Sequence, residues 1–107
     1  MEKIPARGLV MATHIEAAPF IDSGIFVPVE KKPMPVYRNG STYLILSGVG
    51  KTNAAIAATY LITKFNTEIM FNIGAAGSTT DRYGTGEIIH LDSVIQYDRP
   101  PMRGAWA

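Results

Sequence analysis

Glu16 stands just past the apolar run Leu9-Val10-Met11-Ala12, and a carboxylate at a strand end can take a proton from water. Walls supplied by Ile15 and Phe20 would disfavour its charge and raise its pKa. A local reading competes, because Thr13-x-x-Glu16 matches a capping box. Pro19 counts against that box: with Thr13 as N-cap, the proline falls in the second helical turn, where it removes a hydrogen bond. The residues alone leave both readings open. His14, beside Glu16, and His90, inside a strand-like run, read as surface or structural histidines. Two histidines and no cysteine argue against a dedicated transition-metal site, so neither metal nor cofactor is expected. Asp22, Asp81, Asp92 and Asp98 adjoin turn signals, and no Gly-x-Ser-x-Gly elbow supplies a nucleophile.

Two glycine clusters bear on ligand binding. Ser47-Gly48-Val49-Gly50-Lys51-Thr52 follows the apolar run Tyr43–Leu46, and Gly74-Ala75-Ala76-Gly77 follows Ile69–Ile73. The second leaves backbone free of large side chains, so a flat ligand could lie on it and bond to peptide groups; a tight turn with close helix packing is the plainer alternative. Gly50-Lys51-Thr52 resembles the end of a P-loop, but Ile45 occupies the position where that loop needs its first glycine. A turn this short cannot wrap a triphosphate. Asn53 likewise breaks a Gly-x-Gly-x-x-Gly fingerprint, and Lys51 reads as a first-turn helix residue.

The elements that would position these groups alternate. A buried strand is expected over Leu9–Ala12, then a helix from about Ile15 to Ile21, ended by Asp22-Ser23-Gly24. Ile25–Val29 suggests a short strand, and Lys31–Pro35 a proline-interrupted loop. Val36-Tyr37 and Thr42–Leu46 flank Arg38-Asn39-Gly40-Ser41, a hairpin signal. Thr52–Lys64 reads as a helix with alanines for close packing, apolar around more of its circumference than one sheet face can cover. After the Ile69–Ile73 strand, Glu87–Leu91 and Ser93–Tyr97 give further strand-like runs, with Gly84 and Gly86 marking the turn before them. No helix is expected beyond Lys64, and the Pro100–Ala107 end resembles neither a closing helix nor a polar tail. The sequence predicts an α/β fold, a mixed central sheet with flanking helices, apparently truncated.

Bulk properties narrow the class. The 107 residues make one domain, expected to span 1–107, with 47% apolar and 18% charged residues. A net charge of +1 carries no footprint for nucleic acid or anionic membrane. No apolar stretch reaches spanning length, and Pro5, Arg7 and Gly8 break up any signal-peptide core. The expectation is a cytoplasmic protein without nucleic-acid or membrane partners.

Four segments in order, Ala12-Thr13-x-x-Glu16-Ala17-Ala18-Pro19-Phe20, Ser47-Gly48-Val49-Gly50-Lys51-x-Asn53-Ala54-Ala55, Asn72-Ile73-Gly74-Ala75-Ala76-Gly77 and Gly86-Glu87-Ile88-Ile89, resemble the nucleoside phosphorylase/nucleosidase superfamily. The branch most similar contains the methylthioadenosine/adenosylhomocysteine nucleosidases and futalosine hydrolases, and the resemblance runs from about Leu9 to Asp98. It implies hydrolysis of a purine N-glycosidic bond through an oxocarbenium-like transition state. Glu16 would activate the attacking water, Val49 would pack the 5′-substituent of the ribose, and Ala75, Ala76 and Gly77 would line the base and ribose pocket. The loop Ala12–Glu16 lacks the glycine and arginine with which the superfamily's phosphorylases hold phosphate, which favours water as nucleophile.

The resemblance also sets expectations about what this chain lacks. Ala75 stands where the methylthioadenosine enzymes usually carry serine, removing one polar contact. The family's second half, with the Met-Glu pair that grips the ribose hydroxyls and the Asp that protonates the leaving purine, is expected to be missing. The chain alone would then be catalytically incomplete. The family commonly forms dimers, so a homo-oligomer or a complementing polypeptide is expected, with a nucleoside as ligand. The alternatives are a non-catalytic purine-binding or assembly module, a futalosine hydrolase and a nucleoside phosphorylase.

Overall fold

A computed structural model of the chain describes residues 3–96. Two compact units divide it, one reaching Ala76 and one starting at Gly77.

In the first unit the strands are β1 (Arg7–Met11), β2 (Val27–Glu30), β3 (Val36–Asn39), β4 (Thr42–Leu46) and β5 (Ile69–Asn72). The helices are α1 (His14–Asp22) and α2 (Lys51–Phe65). The sheet order is β2-β3-β4-β1-β5, with β1 parallel to both neighbours and β2-β3-β4 antiparallel. The mixed sheet follows from the sequence. A two-residue turn can only reverse the chain, whereas parallel neighbours need a crossover, which α1 and α2 help supply. The reversal lies at Gly40-Ser41, with Asn39 opposite Thr42 and Gly40 left-handed at φ 59°. One positive-φ residue at the first central position is the type II′ pattern, so the glycine of Asn39-Gly40 matters more than the asparagine.

Alternation in β1 and β4 separates two cores. Leu9, Met11 and Leu44 join Ala17 of α1 and Phe26 on one face of the sheet. Val10, Ile45 and Val36 join Ala57 and Leu61 of α2 on the other. Because both faces of β1 are covered, its sequence is a continuous apolar run rather than an alternating one. Each fully buried aliphatic here, such as Leu44, Ile45 or Leu61, contributes about 1.5–3 kcal/mol relative to exposure. Gly8 lets Met70 pack closely on the second face: a Cβ there would lie 2.7 Å from the Met70 sulfur, and that side chain would have to shift.

α1 corrects the argument from proline. Thr13 is the N-cap, the capping box is formed, and Pro19 sits inside the helix as its sixth residue. The proline forfeits one bond to the Ile15 carbonyl, and Ile15 is 85% exposed, so water can satisfy that group. α2 ends at Asn66, left-handed at φ 55°. Tyr60 donates to Glu30 Oε1 at 2.7 Å and Lys64 pairs with Glu30 Oε2, tying α2 to the edge strand β2. The far side of α2 stays open, with Ile56 and Ile62 exposed, as its apolar circumference predicts.

In the second unit the turn at Gly84 is present. The Glu87 N–H donates to the Gly84 carbonyl at 3.2 Å, and the Gly84 N–H to Glu87 Oε2 at 2.7 Å. The expected strands over Glu87–Leu91 and Ser93–Tyr97 do not form among the described residues, and Tyr97 and the Pro100–Ala107 end lie outside them. Ile88, Leu91, Val94 and Ile95 are exposed, and His90 accordingly sits in no strand. A strand needs a neighbouring edge for its peptide groups, and apolar patterning cannot provide one.

Candidate active site

β4, β1 and β5 are adjacent and parallel, so the loops after all three emerge at the same edge of the sheet. Backbone bonds hold those loops together: Ser47 N–H to the Met11 carbonyl at 2.9 Å, Gly48 N–H to Ala12 at 2.9 Å, and Ile73 N–H to Val10 at 3.1 Å. Ligand sites in open α/β sheets lie at this carboxyl edge.

Glu16 is the third residue of α1 and is half-buried. Its Oε1 accepts from the Thr13 N–H at 3.2 Å and the Thr13 hydroxyl at 3.0 Å. Its Oε2 accepts from the Ala75 N–H at 2.8 Å. The capping role and the place at the strand end are therefore compatible: one oxygen closes the helix and the other reaches the segment after β5. The expectation of a raised pKa is overturned. The Ala75 N–H, and after it the Thr13 hydroxyl, hold the carboxyl below its ordinary value, outweighing desolvation. Ile15 points no wall at it, being exposed, and Phe20 packs into the α1 core against Phe26 at 6.0 Å.

The other predicted residues separate by position. Val49 lies in the turn between β4 and α2 and is 75% exposed. Asn53 steadies that turn, its amide donating to the Val49 carbonyl at 2.8 Å, while Gly48 is left-handed at φ 81°. Ala75 and Ala76 are exposed and lie just beyond β5, after Ile73 and Gly74, and the Ala75 peptide rather than its side chain engages Glu16. Gly77, also exposed, opens the second unit. His14 is exposed at the start of α1. No cluster of potential metal ligands occurs among the described residues.

Thr13 and Asn53 were not singled out as site residues by the sequence, and Gly74 was named only as part of a ligand-lining cluster. Thr13 had a signal, its capping-box spacing. A Cβ at Gly74 would lie 3.0 Å from Glu16 Oε2, so a side chain there would make the carboxylate give by a few tenths of an ångström. A cleft of about 310 Å³ in the first unit lies at the opposite edge, lined by Ala6, Arg38, Ser41, Tyr43 and Phe65 among others, away from Glu16. Around this carboxyl edge Val49, Ala75 and Ala76 are all exposed, and of the three it is Ala75 whose peptide reaches Glu16.

The Phosphorylase superfamily matches residues 7–102, and the chain belongs to this superfamily. A relative from Staphylococcus saprophyticus, a 5′-methylthioadenosine/S-adenosylhomocysteine nucleosidase, is 31% identical over 96 residues, covering 85% of this chain and 42% of its own. Among solved structures, the 5′-methylthioadenosine/S-adenosylhomocysteine nucleosidase of Campylobacter jejuni superposes with a TM-score of 0.61 at 21% identity, covering 76% of this chain and 38% of that one. The futalosine hydrolase of Helicobacter pylori gives 0.61 at 19%, covering 72% and 37%. These likenesses show the fold, a nucleoside phosphorylase/nucleosidase architecture of which this chain forms part. The chain spans 37–42% of the length of these three relatives. No helix among the described residues is long and apolar enough to cross a membrane.

Proposed function

We propose that this chain carries the water-activating part of a purine nucleosidase, with methylthioadenosine or adenosylhomocysteine as the substrate class. The observation that carries the reading is Glu16 at the carboxyl edge of β1, bonded at 2.8 Å to the Ala75 peptide after β5. It is supported by superfamily membership and by relatives named as nucleosidases. The low pKa keeps Glu16 ionised at neutral pH, the state in which it can accept a proton.

In the proposed reaction the bond between C1′ of the ribose and the purine nitrogen breaks. Water attacks C1′, its proton passes to Glu16, and the hydroxyl stays on the sugar. The purine leaves with the bonding electron pair and takes up a proton. Val49 packs the 5′-substituent, and Ala75 and Ala76 line the base and ribose. The group that protonates the purine must be a second acid, because an ionised Glu16 acts as base. We assign that role, and the grip on the ribose hydroxyls, to residues outside this chain, supplied by further polypeptide or a partner copy. Residues 1–107 then form part of one domain, in keeping with a superfamily match that crosses both units. No metal or cofactor is assigned, and the protein is placed in the cytoplasm.

The test is incubation of this chain, together with the further polypeptide or partner copy that supplies the remaining residues, with methylthioadenosine or adenosylhomocysteine in ¹⁸O-labelled water, with and without phosphate. Free adenine and one ¹⁸O at the anomeric carbon of the released sugar are expected, independent of phosphate. A sugar 1-phosphate would make it a phosphorylase. Binding of adenine with no turnover would make it a binding module.

A further inference from the structure

Glu16 has two oxygens in unequal circumstances. A carboxylate oxygen offers two lone pairs. Oε1 receives two donors, the Thr13 N–H at 3.2 Å and the Thr13 hydroxyl at 3.0 Å. Oε2 receives one among the described residues, the Ala75 N–H at 2.8 Å. The Thr13 hydroxyl in turn accepts from the Glu16 N–H at 3.3 Å, so its proton is directed at Oε1 rather than free to rotate. We infer that Thr13 is a positioning residue for the proposed reaction: by filling Oε1 it leaves Oε2 as the one oxygen with a lone pair for the attacking water. Gly74 serves the same end, since a side chain there would press on Oε2 at 3.0 Å.

The inference rests on Glu16 acting as the base, but its physical content can be read without substrate. A capping threonine with no further role would contribute to helix stability and nothing else. One that fills Oε1 also sets the proton affinity of Glu16 and the direction from which it accepts. The hydroxyl contributes to holding the Glu16 pKa low, second to the Ala75 peptide.

The decisive experiment compares the parent protein with Thr13→Val and Thr13→Ser, following the Glu16 carboxyl by ¹³C NMR titration and adenine release across pH. Thr13→Val is expected to raise the Glu16 titration midpoint and move the acid limb of the rate profile upward. It should lower kcat on the order of 10-fold with KM little changed, since displacing a catalytic group by about 1 Å costs up to about 10²-fold. Thr13→Ser, which keeps the hydroxyl, should restore both readouts. An unchanged titration midpoint in Thr13→Val would overturn the inference. Should that variant fail to fold, a crystal structure of the parent with the Thr13 hydroxyl beyond hydrogen-bond reach of Glu16 would overturn it equally. A protein completed by the residues outside this chain that releases no adenine, yet shows the shifted and restored titration, would refute the nucleosidase reading and leave the positioning of Glu16 standing.

Discussion

The segment Leu9–Met11 and the segment Glu87–Leu91 both carry the apolar residues of a strand, yet one is a buried strand and the other is exposed and irregular. Leu9, Val10 and Met11 have β4 on one side, β5 on the other, and a helix over each face. Ile88 and Leu91 have none of these among the described residues and stay largely in solvent. The lesson is that composition sets a segment's capacity for strand structure, while pairing edges and covering helices realise it. Candidate chemistry follows the same division: Glu16 is held by hydrogen bonds from two loops, both anchored by backbone pairing in the first unit.

That contrast can be broken by substitution, with the largest effect expected in the paired region. Leu61→Ala empties a fully buried position between α2 and the sheet, and should cost about 2–5 kcal/mol in denaturant unfolding. A loss below about 1 kcal/mol would mean that the α2 face is not the packed core described here. Gly74→Ala is expected to cost on the order of 1 kcal/mol by crowding Glu16 Oε2, and to raise the Glu16 titration midpoint as the Ala75 bond weakens. An unshifted midpoint would separate Gly74 from Glu16.

Acid sharpens the comparison further. Glu16 and Glu30 both have folded pKa values below their ordinary ones, Glu16 through Ala75 and then Thr13, Glu30 through Lys64 and then Tyr60. Protonation therefore opposes the folded state. The stabilisation is fully present above the ordinary carboxylate range and is lost as pH falls through the lowered folded values. Melting temperature should fall with acidification in this window, and Glu30→Gln should remove part of the dependence; an identical profile in that variant would discount the tie between α2 and β2. The smallest effect belongs to the second unit. Ile88→Ala should change stability by no more than about 0.5 kcal/mol, because the side chain is exposed. A larger loss would show that this segment finds a covering partner in solution.

Much of the first unit was legible because its signals are local. The hairpin at Gly40, the buried run of β1 and the alanine-rich face of α2 each follow from neighbours in sequence. Glu16 was legible as a strand-end carboxylate, and its capping partner three residues away was visible too. Its bond to Ala75 was not, since that contact spans 59 positions and uses a peptide N–H that every residue but proline carries. The direction of its pKa shift was misjudged for the same reason. Apolar neighbours predicted desolvation, whereas the fold delivers donors. Pro19 misled because a rule about helix interiors meets a short helix whose freed carbonyl belongs to an exposed residue.

Adenine release by Glu16→Gln in the enzyme completed by the residues outside this chain, set beside its parent at saturating methylthioadenosine, bears most directly on the role of this carboxylate. The amide keeps the shape of the side chain and can still accept from the Ala75 N–H, but it cannot take the proton of water. Turnover is expected to fall by about 10²–10⁴ while nucleoside affinity, measured by calorimetry, stays within a few-fold. Parent-like turnover in this variant would contradict the assignment and leave Glu16 as the cap of α1 alone.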